Sequence, residues 1–152
     1  GKQPGEYNFE YFYTDMARFV NDNNIKSPTT NLITTDLRNK LTYIFEKNEN
    51  GMWNLLYKWS CTVGKPSTPT ITGTFYINGR KPYFGSDIYR VKYATRIKGS
   101  YYYHSILFNP QGTEIINDTL GVAISHGCIR LAVENAQWIY DNILDTTTVV
   151  IN

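Results

Sequence analysis

The segment from residue 124 to residue 131, Ile-Ser-His-Gly-Cys-Ile-Arg-Leu, contains the residue types best suited to covalent chemistry. Its cysteine, Cys128, follows a glycine-containing loop and precedes the last predicted helix. Backbone N–H groups at such a turn can lower the pKa of a thiol and stabilise an oxyanion. Arg130 adds a positive charge that favours a thiolate or holds a substrate carboxylate. The segment therefore predicts a nucleophilic cysteine.

A cysteine nucleophile also needs a base within hydrogen-bonding reach, and the sequence offers two histidines, His104 and His126. His126 is two residues from Cys128, and a sharp turn at Gly127 would point its ring elsewhere. His104 follows three tyrosines on a predicted strand, from which its side chain can project towards the cysteine loop. We therefore take His104 as the candidate base and His126 as the second choice.

The same few residues permit less reactive arrangements. Cys61, His104, His126 and Cys128 could form one zinc site, or the two cysteines could form a disulfide, which would silence the nucleophile. Cys61 falls on the apolar face of a predicted strand, which favours a buried core residue instead. Arg130 is equally compatible with an ordinary surface ion pair.

Composition indicates the architecture that must position these residues. The chain has 152 residues, enough for one domain with a core, and a net charge of +2, too small to indicate a nucleic-acid partner. It has 13 tyrosines and 15 asparagines but only 5 alanines, which favours strands and turns over a helical bundle. The sequence contains no run of eighteen apolar residues that would predict a membrane span, and no signal peptide is recognisable. The abrupt start at residues 1–5 suggests a fragment of something longer, so the missing targeting signal carries little weight.

Two helices are predicted. Apolar residues at spacings of three and four predict a helix over residues 7–22, followed by a linker at 27–30. Residues 1–30 are thus an N-terminal helix and linker, either packed on the main domain or forming the end of an upstream region. A short helix is predicted over 133–144, after the cysteine loop.

The sequence pattern of residues 31–152 predicts a strand-rich domain. The clearest strand is 53–63, where period-two alternation places Trp53, Leu55, Tyr57, Trp59, Cys61 and Val63 on one face, with Leu56 as the exception. Its predicted partner is 40–46, joined through a turn at 47–51. Further strands are predicted at 72–78, 88–97, 101–108 and 147–151. Clusters of glycine, proline and asparagine at 64–70, 78–86 and 109–121 separate them.

Three segments together resemble the L,D-transpeptidase (YkuD-type) catalytic domain. Ser125-His126-Gly127-Cys128-Ile129-Arg130 is similar to its cysteine signature, and His104-Ser105 to its upstream histidine motif. Residues 68–75, Thr-Pro-Thr-Ile-Thr-Gly-Thr-Phe, resemble its Thr-Pro-x-Gly-x-Phe segment with two extra residues. With residues 62–64 before them, the resemblance covers about 31–152.

The resemblance implies a mostly-β, sandwich- or barrel-like fold and a cysteine acyltransferase acting on bacterial peptidoglycan stem peptides. Cys128 would attack the carbonyl of the third stem residue and release the terminal D-alanine. His104 would take the thiol proton, oriented by the backbone carbonyl of Ser105. Backbone N–H groups of His126, Gly127 and Cys128, in the loop begun by Ser125, would form the oxyanion hole. An amine of a neighbouring stem would accept the acyl group to give a 3→3 cross-link, or water would accept it.

The same resemblance implies a location outside the cytoplasm at the cell wall, carbapenem-type β-lactams as inhibitors, and neither a cofactor nor a metal. Two features depart from the family pattern. His104 and Cys128 are 24 positions apart, which suggests an insertion in the loop 109–121, and Arg130 stands where some members have asparagine. The competing hypotheses are a sortase-like cysteine transpeptidase and a non-catalytic wall-binding β-domain. An unreactive Cys128 would indicate the latter.

Overall fold

Strands dominate the computed structural model, which describes residues 6–152. In chain order the elements are α1 (Met16–Asp22), β1 (Asn31–Asp36), β2 (Leu41–Lys47), β3 (Trp53–Ser60), β4 (Val63–Gly64), β5 (Gly73–Tyr76), β6 (Arg80–Gly85), β7 (Arg90–Lys98), β8 (Tyr101–Ser105), β9 (Leu107–Phe108), β10 (Ile115–Asn117), β11 (Ala123–Ser125), β12 (Ile129–Leu131), α2 (Val133–Asn142) and β13 (Thr148–Ile151). The predicted mostly-β fold with two helices is confirmed.

The strands form two larger sheets and one small one. The first sheet has the order β3-β2-β1-β13-β5, with β1 and β13 parallel. The second has the order β10-β9-β7-β8-β12, with β6 paired to β7. In it, β12 runs parallel to β8 and sets Arg130 opposite His104. A two-stranded pair, β4 and β11, holds the start of the cysteine loop.

The main core lies between the two larger sheets and α2. One cluster of buried side chains combines Ile33 and Val149 of the first sheet with Tyr103 and Leu131 of the second, and with Ile139 of α2. Burial of such apolar surface is the main stabilising contribution to a fold of this kind. The cysteine loop and the histidine strand are therefore both attached directly to this core.

A second cluster fixes the N-terminal segment to the first sheet. Phe12, Met16 and Phe19 pack against Leu32 and Phe45 of β1 and β2. The predicted helix over 7–22 is wrong in its first half, because α1 begins only at Met16 and the preceding residues form turns. The Asp15 carboxylate accepts a hydrogen bond from the Arg18 N–H and so caps the helix at that point. The first five residues lie outside the described part of the chain.

The predicted strand 53–63 is interrupted. Its pairing with β2 skips Leu56, a β-bulge that turns the following residues to the opposite face. Trp53 consequently belongs to the second cluster, whereas Cys61 and Val63 belong to the main core. The prediction of one shared apolar face is therefore wrong, and Leu55 is 47% exposed.

Several short strands occupy segments predicted as separators. β6 contains Pro82, which an edge strand tolerates because its missing N–H is not needed for pairing. β10 lies within the predicted loop 109–121. The predicted helix over 133–144 is confirmed as α2, two residues shorter. Among residues 6–152, no helix has the length and apolar character that crossing a membrane requires.

Candidate active site

Cys128 lies in the tight turn between β11 and β12. The turn depends on Gly127, whose φ of +123° is a backbone conformation that residues with a side chain rarely adopt. A Cβ atom at this position would also come within 2.8 Å of the Tyr101 ring. Any other residue at 127 would therefore displace the backbone that carries the thiol.

Ser125 holds this turn together from inside. Its hydroxyl accepts a hydrogen bond from the Gly127 N–H at 3.1 Å and donates one to the Cys128 carbonyl oxygen at 2.6 Å. The Gly127 N–H, one of the three predicted oxyanion donors, is thus already engaged. Within residues 6–152, the N–H groups of His126 and Cys128 donate to no acceptor, so these two are available to an incoming oxyanion.

A second loop supports the turn from outside. The Thr70 hydroxyl donates to the Gly127 carbonyl oxygen at 2.8 Å and accepts from the Gly64 N–H at 2.9 Å. The Thr68 hydroxyl donates to the Ser125 carbonyl oxygen at 2.8 Å. Sequence reasoning singled out residues 68–75 as a motif but gave these hydroxyls no task. Their hydrogen bonds could not be foreseen from spacing, because the two loops are 57 positions apart.

His104 is buried in β8, with 5% of its surface exposed. Its Nδ1 lies 2.7 Å from the Ser105 carbonyl oxygen. A carbonyl oxygen can only accept, so the proton is on Nδ1 and Nε2 carries the free lone pair. Burial, together with the nearby charge of Arg130, lowers the pKa of His104 to about 4. The imidazole is therefore neutral at pH 7 and can accept a proton.

The Cys128 thiol is protonated in its resting environment. Burial raises its pKa above the ordinary value, and a hydrogen bond with the Tyr102 backbone and the positive charge of Arg130 act in the opposite direction. The expectation that the turn lowers this pKa is therefore wrong, because desolvation outweighs the local charges. The sulfur donates to the Ser100 carbonyl oxygen at 3.3 Å rather than to His104.

Both groups open into one cleft of about 360 Å³. Its lining combines four apolar side chains with the polar residues of the site: Phe84, Ile88, Tyr89, His104, Leu107, Ile116, Ser125, His126, Cys128 and Arg130. Ile88 and Ile116 are 74% and 53% exposed, so the mouth of the cleft is apolar and open to solvent. Sequence reasoning missed both residues, since no sequence pattern shows which loop residues face a cleft.

Arg130 is a half-buried cation at this cleft, with no carboxylate partner in the described part of the chain. The two ion pairs within residues 6–152 are Arg18–Asp22 and Arg80–Asp145, and neither involves it. Burial lowers the pKa of Arg130, but a guanidinium keeps its charge at any physiological pH. An unpaired guanidinium beside a reactive group is suited to binding a carboxylate.

A further cleft of about 600 Å³ lies beyond His126. It is lined by the loop 67–72, Tyr101 and His126. His126 is exposed and borders both clefts. His126 therefore lies between the two clefts, and the Cys128 and His104 side chains line the first of them.

Cys61 is separate from this site. It is fully buried in the main core, and burial raises its pKa to about 12. Both cysteines are free thiols. Within residues 6–152, no three histidine, cysteine, aspartate or glutamate side chains are gathered as metal ligands would be.

Comparison with known proteins places this geometry in a family. The model of the L,D-transpeptidase catalytic domain (YkuD) matches residues 30–151, most of the chain. The chain belongs to the L,D-transpeptidase catalytic-domain family. Its cysteine turn, buried histidine and second supporting loop all lie within the matched residues.

Individual relatives agree with this assignment. The chain is 34% identical over 109 residues to the Bacillus subtilis (strain 168) protein named "Putative L,D-transpeptidase YciB", which covers 65% of this chain and 56% of that protein. A crystal structure of a fused Zn-dependent amidase/peptidase/peptidoglycan-binding domain-containing protein from Clostridium acetobutylicum ATCC 824 superposes with a TM-score of 0.75 at 39% identity. The match covers 90% of this chain and 58% of the Clostridium acetobutylicum chain.

A third structure, the L,D-transpeptidase LdtMt1 in complex with imipenem, has the same fold, with a TM-score of 0.63 at 24% identity. The match covers 81% of this chain and 59% of that chain. The present chain spans somewhat more than half the length of each of these three proteins.

Proposed function

We propose that this L,D-transpeptidase domain cleaves and rejoins peptidoglycan stem peptides through an acyl-enzyme on Cys128. One observation carries the proposal. A protonated thiol, a neutral histidine with a free Nε2 and an unpaired guanidinium share a single cleft. A base that is neutral at pH 7 is what a protonated nucleophile requires.

In the first half-reaction, His104 Nε2 takes the Cys128 proton while the sulfur attacks the carbonyl of the third stem residue. The N–H groups of His126 and Cys128 stabilise the resulting oxyanion. The C–N bond to the terminal D-alanine then breaks, and His104 returns its proton to the departing amine. A thioester on Cys128 and free D-alanine result.

In the second half-reaction, an amine of a neighbouring stem attacks the thioester carbonyl and gives a proton to His104. The C–S bond breaks, the sulfur recovers that proton, and a 3→3 cross-link is formed. Water in place of the amine gives carboxypeptidase activity. Ser105 fixes the tautomer of His104, Ser125 and Gly127 shape the oxyanion turn, and Arg130 binds a stem-peptide carboxylate.

The proposed catalytic unit comprises residues 31–152, with residues 1–30 as an N-terminal addition whose residues 7–25 pack on its first sheet. Its substrate implies action at the bacterial cell wall, outside the cytoplasm. Carbapenem-type β-lactams are the expected inhibitors, since they present a strained amide carbonyl to the same nucleophile. The imipenem complex of LdtMt1 supports this choice of reagent.

The test is intact-mass spectrometry after incubation with imipenem. We expect one covalent adduct on the wild-type protein and none on the Cys128→Ala variant. The Cys61→Ala variant is the matched control and should form the adduct as the wild type does. A folded, reduced wild-type protein that forms no adduct would favour a non-catalytic wall-binding domain.

A further inference from the structure

Positive charge is concentrated on one pair of strands. Residues 80–98, which span β6 and β7, contain six of the 15 lysines and arginines but only one acidic residue, Asp87. The remainder of the chain has nine basic and twelve acidic residues. The small net charge of +2 therefore conceals a strongly basic hairpin on a slightly acidic body.

Three of these six cations donate side-chain hydrogen bonds to backbone carbonyl oxygens, Arg90 to that of Gln111 at 3.3 Å and two others to neighbouring elements of the fold. Arg80 pairs with Asp145 at 3.0 Å and donates to the carbonyl oxygens of Tyr140 and Ile143 at the end of α2. Arg96 donates to the Asn78 carbonyl oxygen at 2.8 Å. Both hold the hairpin against its surroundings, so they contribute to the fold.

Apart from Arg80 and Arg96, the other four cations lie near aromatic rings. Lys98, at the end of β7, has its Nζ 5.9 Å from the Phe75 ring. Lys81, Arg90 and Lys92 form what we term the basic rim. Lys81 Nζ is 5.6 Å from the centre of the Tyr102 ring. The Arg90 guanidinium lies 4.2 Å from the Tyr83 ring, and Lys92 Nζ lies 4.2 Å from the Phe108 ring. Aromatic faces stabilise cations and hold them in place without neutralising their charge.

Among the residues that the structure describes, the rim cations have no carboxylate partner. None takes part in either of the two ion pairs within residues 6–152. Arg90 and Lys92 even lie side by side, since a Cβ atom at Gly112 would be 3.1 Å from Arg90 Cδ and 3.3 Å from Lys92 Cε. Like charges held together repel each other, and an anionic ligand would relieve this repulsion.

The basic rim adjoins the catalytic cleft. Phe84, which lines the cleft, has ring contacts with both Tyr102 (5.3 Å) and His104 (5.5 Å). Tyr102 is the ring below Lys81. At the other end of the hairpin, Arg90 and Lys92 share the strand face of Tyr83, whereas Phe84 lies on the opposite face, because neighbouring residues of a strand alternate between its two faces. A long ligand on the rim would therefore extend from the cleft side of the edge strand β6, at Lys81, to the opposite face of the hairpin.

We propose that the basic rim binds a linear phosphodiester polymer, the chemistry of an anionic cell-wall chain. Several separate cations match a regularly repeated negative charge better than a single carboxylate, for which Arg130 provides one enclosed guanidinium. Binding would hold the domain on an anionic matrix with its cleft facing the stem peptides. The proposal goes beyond the transpeptidase activity, and its choice of a cell-wall polymer rests on the location implied by the proposed function.

The test measures binding of a fluorescently labelled poly(glycerol phosphate) chain by anisotropy at 50 and 300 mM NaCl. If three phosphates are contacted, affinity should fall roughly 40-fold between these salt concentrations. The variant Lys81→Gln/Arg90→Gln/Lys92→Gln should bind at least about tenfold more weakly at 50 mM salt. The charge-matched control Lys26→Gln/Lys47→Gln/Lys58→Gln changes three exposed lysines elsewhere and should bind within about threefold of the wild type.

Three results would overturn the proposal. They are no binding by the folded wild type, an equal loss in both triple variants, or tighter binding of a single-stranded oligonucleotide of the same charge. Thermal unfolding of each variant verifies that it is folded. Polymer binding without imipenem adduct formation would reject the proposed activity alone, so the failures of the two proposals are distinguishable.

Discussion

At the scale of single residues, the site depends on how burial distributes protons between Cys128 and His104. Burial disfavours the charged form of each group, so it raises the pKa of the thiol and lowers that of the imidazole. The resting pair is therefore neutral, and in the proposed mechanism proton transfer accompanies attack on the substrate. The Ser105 carbonyl contributes orientation, because it fixes the proton on Nδ1.

The lowered pKa of His104 predicts a pH-dependent stability. The unfolded chain binds a proton at this residue near pH 6.5, whereas the folded protein does so only near pH 4. Stability is therefore lost as pH falls from about 6.5 to about 4, by roughly 3 kcal/mol at most. Urea unfolding at pH 7 and pH 4 should show a smaller loss for His104→Gln than for the wild type. His126→Gln controls for the removal of a histidine, and equal losses in all three proteins would contradict the prediction.

Arg130 predicts a change in substrate affinity. The Arg130 guanidinium is proposed to bind a carboxylate of the stem peptide, and Arg130→Gln removes that charge-assisted hydrogen bond. The variant should therefore raise KM roughly tenfold with a smaller change in kcat. Steady-state release of D-alanine measures both constants. Arg38→Gln, an arginine stacked on Tyr13 away from the cleft, is the matched control. An unchanged KM in Arg130→Gln would assign this residue a structural task instead.

At the scale of elements, the cysteine turn depends on a loop distant in sequence. Thr70 connects the Gly64 N–H to the Gly127 carbonyl oxygen. Thr70→Val keeps the shape but leaves both groups unpaired, at a cost of about 1–3 kcal/mol. It should also slow Cys128 acylation roughly tenfold, because the oxyanion donors lose their fixed position. Stopped-flow measurement with imipenem tests this, with the exposed Thr72→Val as control. A stability loss without a slower acylation would separate Thr70 from the site.

Only some of the elements and site residues could be predicted from the sequence. Local periodicity predicted α2, β2 was predicted as the hairpin partner of residues 53–63, and the order of the motifs indicated the family. The strongest periodic signals, at residues 7–22 and 53–63, were right only in part. The bulge at Leu56 and the strand containing Pro82 arise from pairing between strands, which leaves no periodic signal in one chain segment. Residue type alone made candidates of Cys128, His104 and Arg130. The places of Ile88, Ile116 and Thr70 at the site depend on contacts between distant segments, so the sequence could not show them.

At the scale of the whole molecule, the site lies on the second sheet, and the first sheet anchors it through the core. The Tyr103 hydroxyl lies 2.7 Å from the Thr35 hydroxyl and so connects the two sheets next to His104. Tyr103→Phe should destabilise the protein by about 1–2 kcal/mol, since it leaves a buried hydroxyl short of a partner. Chemical denaturation measures this, and the exposed Tyr76→Phe is the control. Equal stability of the two variants would show that this connection contributes nothing.

The central claim is that His104, and not His126, activates Cys128 within this fold. The most direct measurement is the rate of D-alanine release from a stem tetrapeptide by the wild type, His104→Ala and His126→Ala. Loss of general-base catalysis typically costs about 10²- to 10⁴-fold, so His104→Ala should lose turnover almost completely. His126→Ala should retain a measurable rate, reduced by distortion of its loop. Wild-type turnover in His104→Ala would contradict the account.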